Sequence, residues 1–464
     1  MARFSLLGLL LIAACSASPK PAEPALPAAA SVAPLSTTTA TPAVPDAPRY
    51  QRSEYETLAK ELDAELSSRV LSFWYPKAVD KKGGGFLQTF RSDGSLADDG
   101  SKFLVFQARM TWVAAEVALR YPERKTEYLA YLEHGRQFLE RSLWDAKAGG
   151  LYWEIDAKGK PTTTEKHAYG IAFGIYAAAV AARAAPSDAS KAFALKVFEW
   201  FDAHAHDSEH GGYYEALTRE GKPILSAPQG RDTDGIGTAY GRKSMNTHIH
   251  VLEALSELYR IAPSEPLKRR LSEVFELVRD RITDEAGFFQ LYFAPDWTKF
   301  ETADSYGHNV EGAFLLLEAA AVLGIPDDAK TRAVAKKLID RALERGWDEA
   351  RGGFYNEGEP QGKAKDLRKV WWVQAEGLNG LLALHELYGR ETRRYYDAFV
   401  KQWSFIKSHV SDAKSGEWWG YLGPAGELED AKQDKGNKWK ACYHDSRALM
   451  VSVEKLRNLA AELR

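Results

Sequence analysis

From about residue 53 onward, the apolar residues recur three and four positions apart, the spacing that places them on one face of an α-helix. Twelve such segments are expected: near 53–75, 102–121, 126–143, 167–184, 189–205, 242–260, 265–281, 306–323, 328–345, 368–388, 391–409 and 443–462. They are of two kinds. Even-numbered segments such as "IAFGIYAAAVAA", "GAFLLLEAAAVL" and "ALMVSVEKL" are strongly apolar, the first two nearly all round, which predicts burial on more than one side. Odd-numbered segments such as "DAKTRAVAKKLIDRALER" keep a polar face. The pattern predicts an inner ring of even helices wrapped by an outer ring of odd ones.

The segments between them repeat. An Asp, a few polar residues, Gly and then bulky residues recur six times: "DKKGGGF", "DAKAGGLYW", "DSEHGGYY", "DEAGFF", "DEARGGFY" and "DAKSGEWW". The marking glycines, Gly85, Gly150, Gly212, Gly287, Gly353 and Gly416, lie 62 to 75 residues apart. Glycine supplies the positive φ of a tight reversal and Asp can cap it; a short extended segment is expected after each turn. Each turn joins an odd helix to the next even one. Six helical hairpins in succession predict an all-α toroid, the (α/α)6 barrel. An open solenoid is the alternative, and it would need polar caps on its end repeats.

The N-terminus is of another kind. "MARFSLLGLLLIAAC" carries one basic residue and a short apolar run, too short to span a bilayer and suited to a secretory signal. Ile12-Ala13-Ala14-Cys15 resembles a lipobox, which would put lipid on Cys15; an ordinary cleavable signal peptide is the alternative. Ser16 to Pro48 is rich in Ala, Pro, Ser and Thr, a composition that stays extended rather than folding. The expected organisation is a signal over 1–14, a tether over 15–50 and a single catalytic domain over 51–464. The protein would be exported and lipid-anchored at the periplasmic or outer-membrane face. With Cys442 the only other cysteine, an internal disulfide is then not expected. A net charge of −3 gives no footprint for nucleic acid or an anionic membrane.

Polar, proton-exchanging residues cluster at the beginnings of even helices: Arg109; His167 and Tyr169; Asn246, His248, His250 and Glu253; His308 and Glu311; Trp371, Trp372 and Glu376; Trp439 and His444. Six helix starts at one end of a torus can converge on one pocket. Histidine suits proton exchange near neutrality. His308 and Glu311, three apart, could form a carboxylate–imidazole pair on one face, though Glu311 could equally pair with a nearby Lys or Arg. His250 shares a face with Asn246 and Glu253, whereas His248 lies about 200° away and is expected in packing or at the rim. Arg109 could hold oxygen-rich groups, and flat tryptophan faces suit the C–H faces of a sugar. Taken singly, each has an ordinary reading: a hydrogen-bonded structural histidine, a core tryptophan. His167 is assigned to structure or rim. "HAHDSEH", 204–210, could suggest a metal, but further ligands are not apparent.

The segments "QARMTW", "KSMNTHIHVLEA", "YGHNVEGAFLL", "WWVQAE" and the pair Trp439 and His444 resemble, in order and separation, the N-acylglucosamine 2-epimerase superfamily, and within it the cellobiose 2-epimerases. The resemblance runs from about residue 55 to the end. It implies an (α/α)6 barrel that uses no metal or redox cofactor. It implies ring opening of a reducing-end aldose, removal of the C2 proton, a cis-enediolate and return of a proton to the opposite face. His308 and His444 would be the two proton-transfer residues. Arg109 and His250 would stabilise the enediolate, with His250 also serving ring opening. Asn246 and Glu311 match supporting positions; Tyr169, Trp439 and one of Trp371 and Trp372 match sugar contacts.

The expected activity is therefore 2-epimerisation of the reducing-end glucose of a β-1,4-linked disaccharide such as cellobiose, by a monomer whose partners are sugars. An aldose–ketose isomerase of the mannose isomerase type is the nearest rival. A glycoside hydrolase would need two carboxylates across the scissile bond, with Glu253, Glu311 and Glu376 as candidates. A non-catalytic sugar-binding lipoprotein would keep the tryptophans without needing the histidines.

Overall fold

The computed structural model describes residues 50–463. The expected signal, tether and Cys15 lie outside the described residues. Twelve long helices run in chain order: α1 (Arg52–Glu65), α2 (Leu104–Arg120), α3 (Lys125–Phe138), α4 (Ala168–Ala184), α5 (Asp188–Ala205), α6 (Met245–Ile261), α7 (Glu265–Leu277), α8 (Tyr306–Val322), α9 (Ala329–Arg345), α10 (Trp371–Tyr388), α11 (Arg394–Phe405) and α12 (Tyr443–Glu462). The outer helices α1, α3, α7 and α11 continue into a π turn, Leu66–Leu71, Leu139–Leu143, Val278–Ile282 and Ile406–Val410, which accounts for the longer stretches of helical periodicity there.

The even helices close on themselves. α2 packs on α4, α4 on α6, α6 on α8, α8 on α10, α10 on α12, and α12 again on α2. That last contact rules out the open solenoid. Each inner helix also packs against the outer helix that follows it, and α12 takes α1 from the far end of the chain. The hairpins are thus α2–α3 through α10–α11, completed by α12–α1. The burial follows the sequence pattern. All of α4 except Arg183 is buried, whereas α9 buries only the stripe Thr331, Ala335, Leu338, Ile339, Ala342 and Leu343. No helix among the described residues is long and apolar enough to cross a membrane.

The six Asp–Gly turns all lead toward the N-terminal ends of the inner helices. In each, a residue before the Asp bridges one just after the Gly: Val79 to Phe86, Trp144 to Leu151, His206 to Tyr213, Thr283 to Phe289, Trp347 to Phe354 and Ser411 to Trp418. The glycines are required where backbone runs against a side chain. Gly212 has φ 73°, and a Cβ there would stand 2.7 Å from His248 Nε2. Two-residue strands just before the inner helices pair with the next connection, as Lys102–Phe103 with Glu154–Ile155 and Lys243–Ser244 with Tyr292–Phe293. A bridge from Phe90 to Gly436 joins the last connection to the first. Residues 102–103, 167, 243–244 and 369–370, assigned to helix by periodicity, are therefore strand.

A second repeat was not anticipated from sequence. A buried lysine reaches the Asp of five of the six turns: Lys102 to Asp80 at 2.9 Å, Lys166 to Asp145 at 3.2 Å, Lys243 to Asp207 at 2.7 Å, Lys369 to Asp348 at 3.1 Å and Lys435 to Asp412 at 3.0 Å. Removing either partner of such a pair costs about 3–5 kcal/mol, because the other charge stays buried. The fourth repeat breaks the rule. Its lysine position holds Asp304, and Gln290 bonds Asp284 instead. Asp304 is buried and accepts the Gln361 N–H at 2.8 Å. Burial, reinforced by Asp284, raises its pKa to about 6.

An acid whose folded pKa lies above its unfolded value near 3.9 stabilises the fold most below that value and loses the contribution as pH rises through 6. Asp304→Asn keeps the acceptor for Gln361 and removes the charge. We expect the variant to be more stable than wild type by roughly 1–2 kcal/mol at pH 8, with the difference gone at pH 4, in urea denaturation at both pH values. Equal stability at pH 8 would contradict this.

Candidate active site

The second and sixth residues of the inner helices, one turn apart, account for most of the polar groups at the barrel mouth. They are Tyr169 and Phe173 on α4, Asn246 and His250 on α6, and Trp372 and Glu376 on α10. On α2 the sixth residue is Arg109, on α8 it is Glu311, and on α12 the second is His444. His308 is third on α8, next to Gly307, where a Cβ would lie 2.5 Å from the Trp372 ring. A cavity of about 250 Å³ opens among these residues. It is lined by all ten sequence-predicted site positions, Arg109, Tyr169, Asn246, His250, His308, Glu311, Trp371, Trp372, Trp439 and His444, together with Ile236 from the connection before α6.

The histidines are held differently. His444 Nδ1 lies 2.7 Å from Glu376 Oε1. A carboxylate only accepts, so Nδ1 carries the proton and Nε2 keeps its lone pair. His250 Nδ1 lies 3.1 Å from Glu253 Oε2, the i+3 residue expected to share its face. His308 is not paired with Glu311, contrary to the i,i+3 expectation. Its Nδ1 bonds Ser305 Oγ at 2.7 Å, because Glu311 is drawn away to Arg447. Burial lowers the pKa of His308 and of His444 to about 3, and lowers that of His250, so all three rings rest neutral. The Trp372 ring neighbours both His308 and His444, at 4.8 and 5.9 Å between ring centres. Trp372 is thus the tryptophan beside the two histidines, while Trp371 lines the cavity near Lys440.

Beneath the cavity lies a residue that sequence reading passed over. Arg447, 2 % exposed, bonds Glu253 and the Tyr443 hydroxyl through one nitrogen, and Glu311 and Glu376 at 2.5 and 2.6 Å through the other. Glu376 in turn holds His444, and Glu253 holds His250. One guanidinium therefore serves three carboxylates. Burial and the neighbouring Glu376 raise the Glu311 pKa. Burial opposes ionisation of Glu376 too, yet Arg447 and the His444 hydrogen bond hold its carboxyl below the usual range. In sequence Glu376 was a candidate only for the hydrolase reading, not a partner of His444; its shared phase with His250 and Glu311 was the available signal. Arg109 donates to the Trp439 carbonyl at 2.9 Å and the Tyr169 hydroxyl at 3.1 Å, and its guanidinium lies 4.6 Å from the Phe173 ring.

His248 sits outside the cavity, as expected. Its Nδ1 donates to the Ser244 carbonyl at 2.7 Å and its Nε2 accepts the Tyr213 N–H at 3.0 Å. It fills the place that Gln107, Asn309 and Gln374 fill in other repeats, each accepting the N–H of the residue after its turn. His204, His206 and His210 bond the Trp200 carbonyl, Glu273 and Asp207 separately. Two sets have ligand-type atoms within 4.8 Å of one another: His167, Glu215 and Asp234, and Glu311, Glu376 and His444. Neither suits a metal. His167 Nδ1 accepts the Tyr169 N–H, so a proton sits on Nε2, 3.0 Å from Asp234 Oδ2, and both Glu215 oxygens accept bonds from Ser244 and Thr247. Arg447 already occupies the inward oxygens of both carboxylates of the second set.

A closed ring of helices with histidines, an arginine and tryptophans around one small cavity fits one class, a carbohydrate isomerase. Comparison with known proteins then places it. The family model of N-acylglucosamine 2-epimerase (GlcNAc 2-epimerase) matches residues 84–448. The chain belongs to the N-acylglucosamine 2-epimerase family and is a carbohydrate epimerase. It is 33% identical over 394 residues to a cellobiose 2-epimerase of Bacteroides fragilis, covering 84% of this chain and 97% of that protein. The solved cellobiose 2-epimerase of Spirochaeta thermophila superposes with TM-score 0.78 at 31% identity, over 89% of this chain and 100% of that one. A D-mannose isomerase of Marinomonas mediterranea is 25% identical, over 84% of this chain and 95% of its own.

Arg447→Met would leave three carboxylates around an apolar chain. We expect it to lose about 3–5 kcal/mol of stability at pH 7.5 by urea denaturation. Glu311→Gln, which replaces the carboxyl most easily kept neutral, is expected to lose less than about 1 kcal/mol. A mild effect of Arg447→Met would show that the carboxylates do not depend on it.

Proposed function

We propose that the protein interconverts the reducing-end glucose and mannose of β-1,4-linked disaccharides such as cellobiose. The observation that carries this is the pair His308 and His444, both resting neutral, both lining one cavity and both beside the Trp372 ring. His250, held by Glu253, assists opening of the sugar ring. One of the two histidines takes the C2 proton through Nε2, and the C–H electrons move into the C1 carbonyl to give the cis-enediolate. Rotation about C1–C2 follows, and the other histidine, as imidazolium, returns a proton to the opposite face. The step balances once the second ring has taken a proton from solvent with the substrate bound: one ring is then neutral and the other an imidazolium, and the two exchange charge states with each turnover. Arg109 lies against the same cavity and stabilises the enediolate oxygens. Asn246, Tyr169 and Trp439 line the walls that hold the sugar.

The similarity to cellobiose 2-epimerases supports this reading. The mannose isomerase reading shares the enediolate and differs only in which carbon is reprotonated. Hydrolysis is less well supported. Glu253 and Glu376 are bound to Arg447 beneath the floor, and Glu311 alone of the three lines the cavity, so no two carboxylates flank a bond. The lipobox-like Ile12–Cys15 supports export with lipid on Cys15.

The test is cellobiose in D2O followed by NMR. We expect 4-O-glucosyl-mannose carrying deuterium at C2. Glucosyl-fructose alone would establish the isomerase, and free glucose the hydrolase. His308→Asn and His444→Asn should each lower kcat at least about 10³-fold. Separately, labelled palmitate should enter the expressed full-length protein and fail to enter Cys15→Ser; labelling of neither would overturn the anchor.

A further inference from the structure

Three inner helices begin with a residue able to cap them through its side chain, and one of the three does not. Ser244, the N-cap of α6, accepts the Thr247 N–H at 3.1 Å, and His167 caps α4 by accepting the Tyr169 N–H at 3.2 Å. Ser305 stands at the same place on α8, buried, and makes no cap bond. Serine is among the best N-cap residues, so a bond normally formed here is given up. Its hydroxyl turns to the side chain of the residue whose backbone it would cap: Ser305 Oγ lies 2.7 Å from His308 Nδ1.

The partner is also chemically distinct. His444 and His250 face carboxylates, Glu376 and Glu253, which stabilise an imidazolium. His308 faces a neutral hydroxyl. From this we infer that Ser305 is a positioning residue for His308: it accepts the Nδ1 proton, which fixes Nε2 as the proton-exchanging atom. The two proton-transfer groups are thereby oriented by unlike partners, a hydroxyl at His308 and a carboxylate at His444. This rests on the proposed epimerase reading.

Two measurements test it. The first needs no substrate: two-bond ¹H–¹⁵N NMR of the His308 ring. The expected wild-type pattern is protonated Nδ1 and bare Nε2. Ser305→Ala should give mixed tautomers and Ser305→Thr the wild-type pattern. The second is turnover of cellobiose. Ser305→Ala should lower kcat about 10–100-fold with KM within about threefold, and shift the acidic limb of the kcat–pH profile. Ser305→Thr should recover kcat to within about threefold. Because Ser305 makes no cap, Ser305→Ala should lower the melting temperature less than Ser244→Ala does. Should Ser305→Ala not fold, Ser305→Cys, close in volume and a poor acceptor, takes its place. An unchanged tautomer, or wild-type kcat and pH profile in Ser305→Ala, overturns the inference. If wild type leaves cellobiose unchanged, the epimerase reading fails while the NMR result still decides the role of Ser305.

Discussion

A single buried guanidinium organises the working end of this barrel. Arg447 enters from α12 and binds carboxylates contributed by α6, α8 and α10. Two of those carboxylates grip histidines, so the orientation of His250 and of His444 is tied to one side chain. The arrangement is electrostatically unbalanced, three acids against one base. The imbalance falls on Glu311, the carboxyl most easily kept protonated, and leaves Glu376 free to orient His444. A buried charge set of this kind contributes little net stability relative to an apolar core. Its effect is to fix geometry where four inner helices meet.

The remainder of the fold is repetition, and the residues proposed for proton transfer sit where repetition fails. Five turns are pinned by a lysine–aspartate pair, and four inner helices use a Gln, Asn or His to hold the turn that precedes them. The fourth repeat departs three times within a short stretch: Asp304 in place of lysine, Ser305 diverted from capping, and Gly307 leaving room for Trp372 beside His308. Departures from local preference concentrated around one ring are what a functional position imposes on an otherwise regular scaffold.

Much of this was legible in the sequence, for a physical reason. The 3.6-residue period and the six Asp–Gly turns are local signals, and they gave the two rings. The phase of Arg109, Tyr169, Asn246, His250, Glu311 and Trp372 on their helices is equally local, and these residues meet in one cavity. What escaped was set by ring closure. Arg447 finds Glu253 across 194 residues and Glu376 across 71, and neither spacing has a signature along the chain. The expected His308–Glu311 pair failed for the same reason. A partner three residues on was available, but a distant arginine claimed it and Ser305, three residues back, took the ring. The buried lysines escaped because lysine on a short strand reads as solvent-facing.

The central claim is that His308 and His444 serve opposite faces of one carbon. Epimer-specific exchange of the C2 proton tests it most directly. Glucose-ended and mannose-ended disaccharides deuterated at C2 are incubated separately in H2O with His308→Asn and with His444→Asn, and loss of the label is followed by NMR. The account predicts that each variant still exchanges one epimer, that the two variants retain different epimers, and that neither epimerises. Exchange of both epimers by one variant and of neither by the other would contradict it, and would assign all proton transfer to a single histidine.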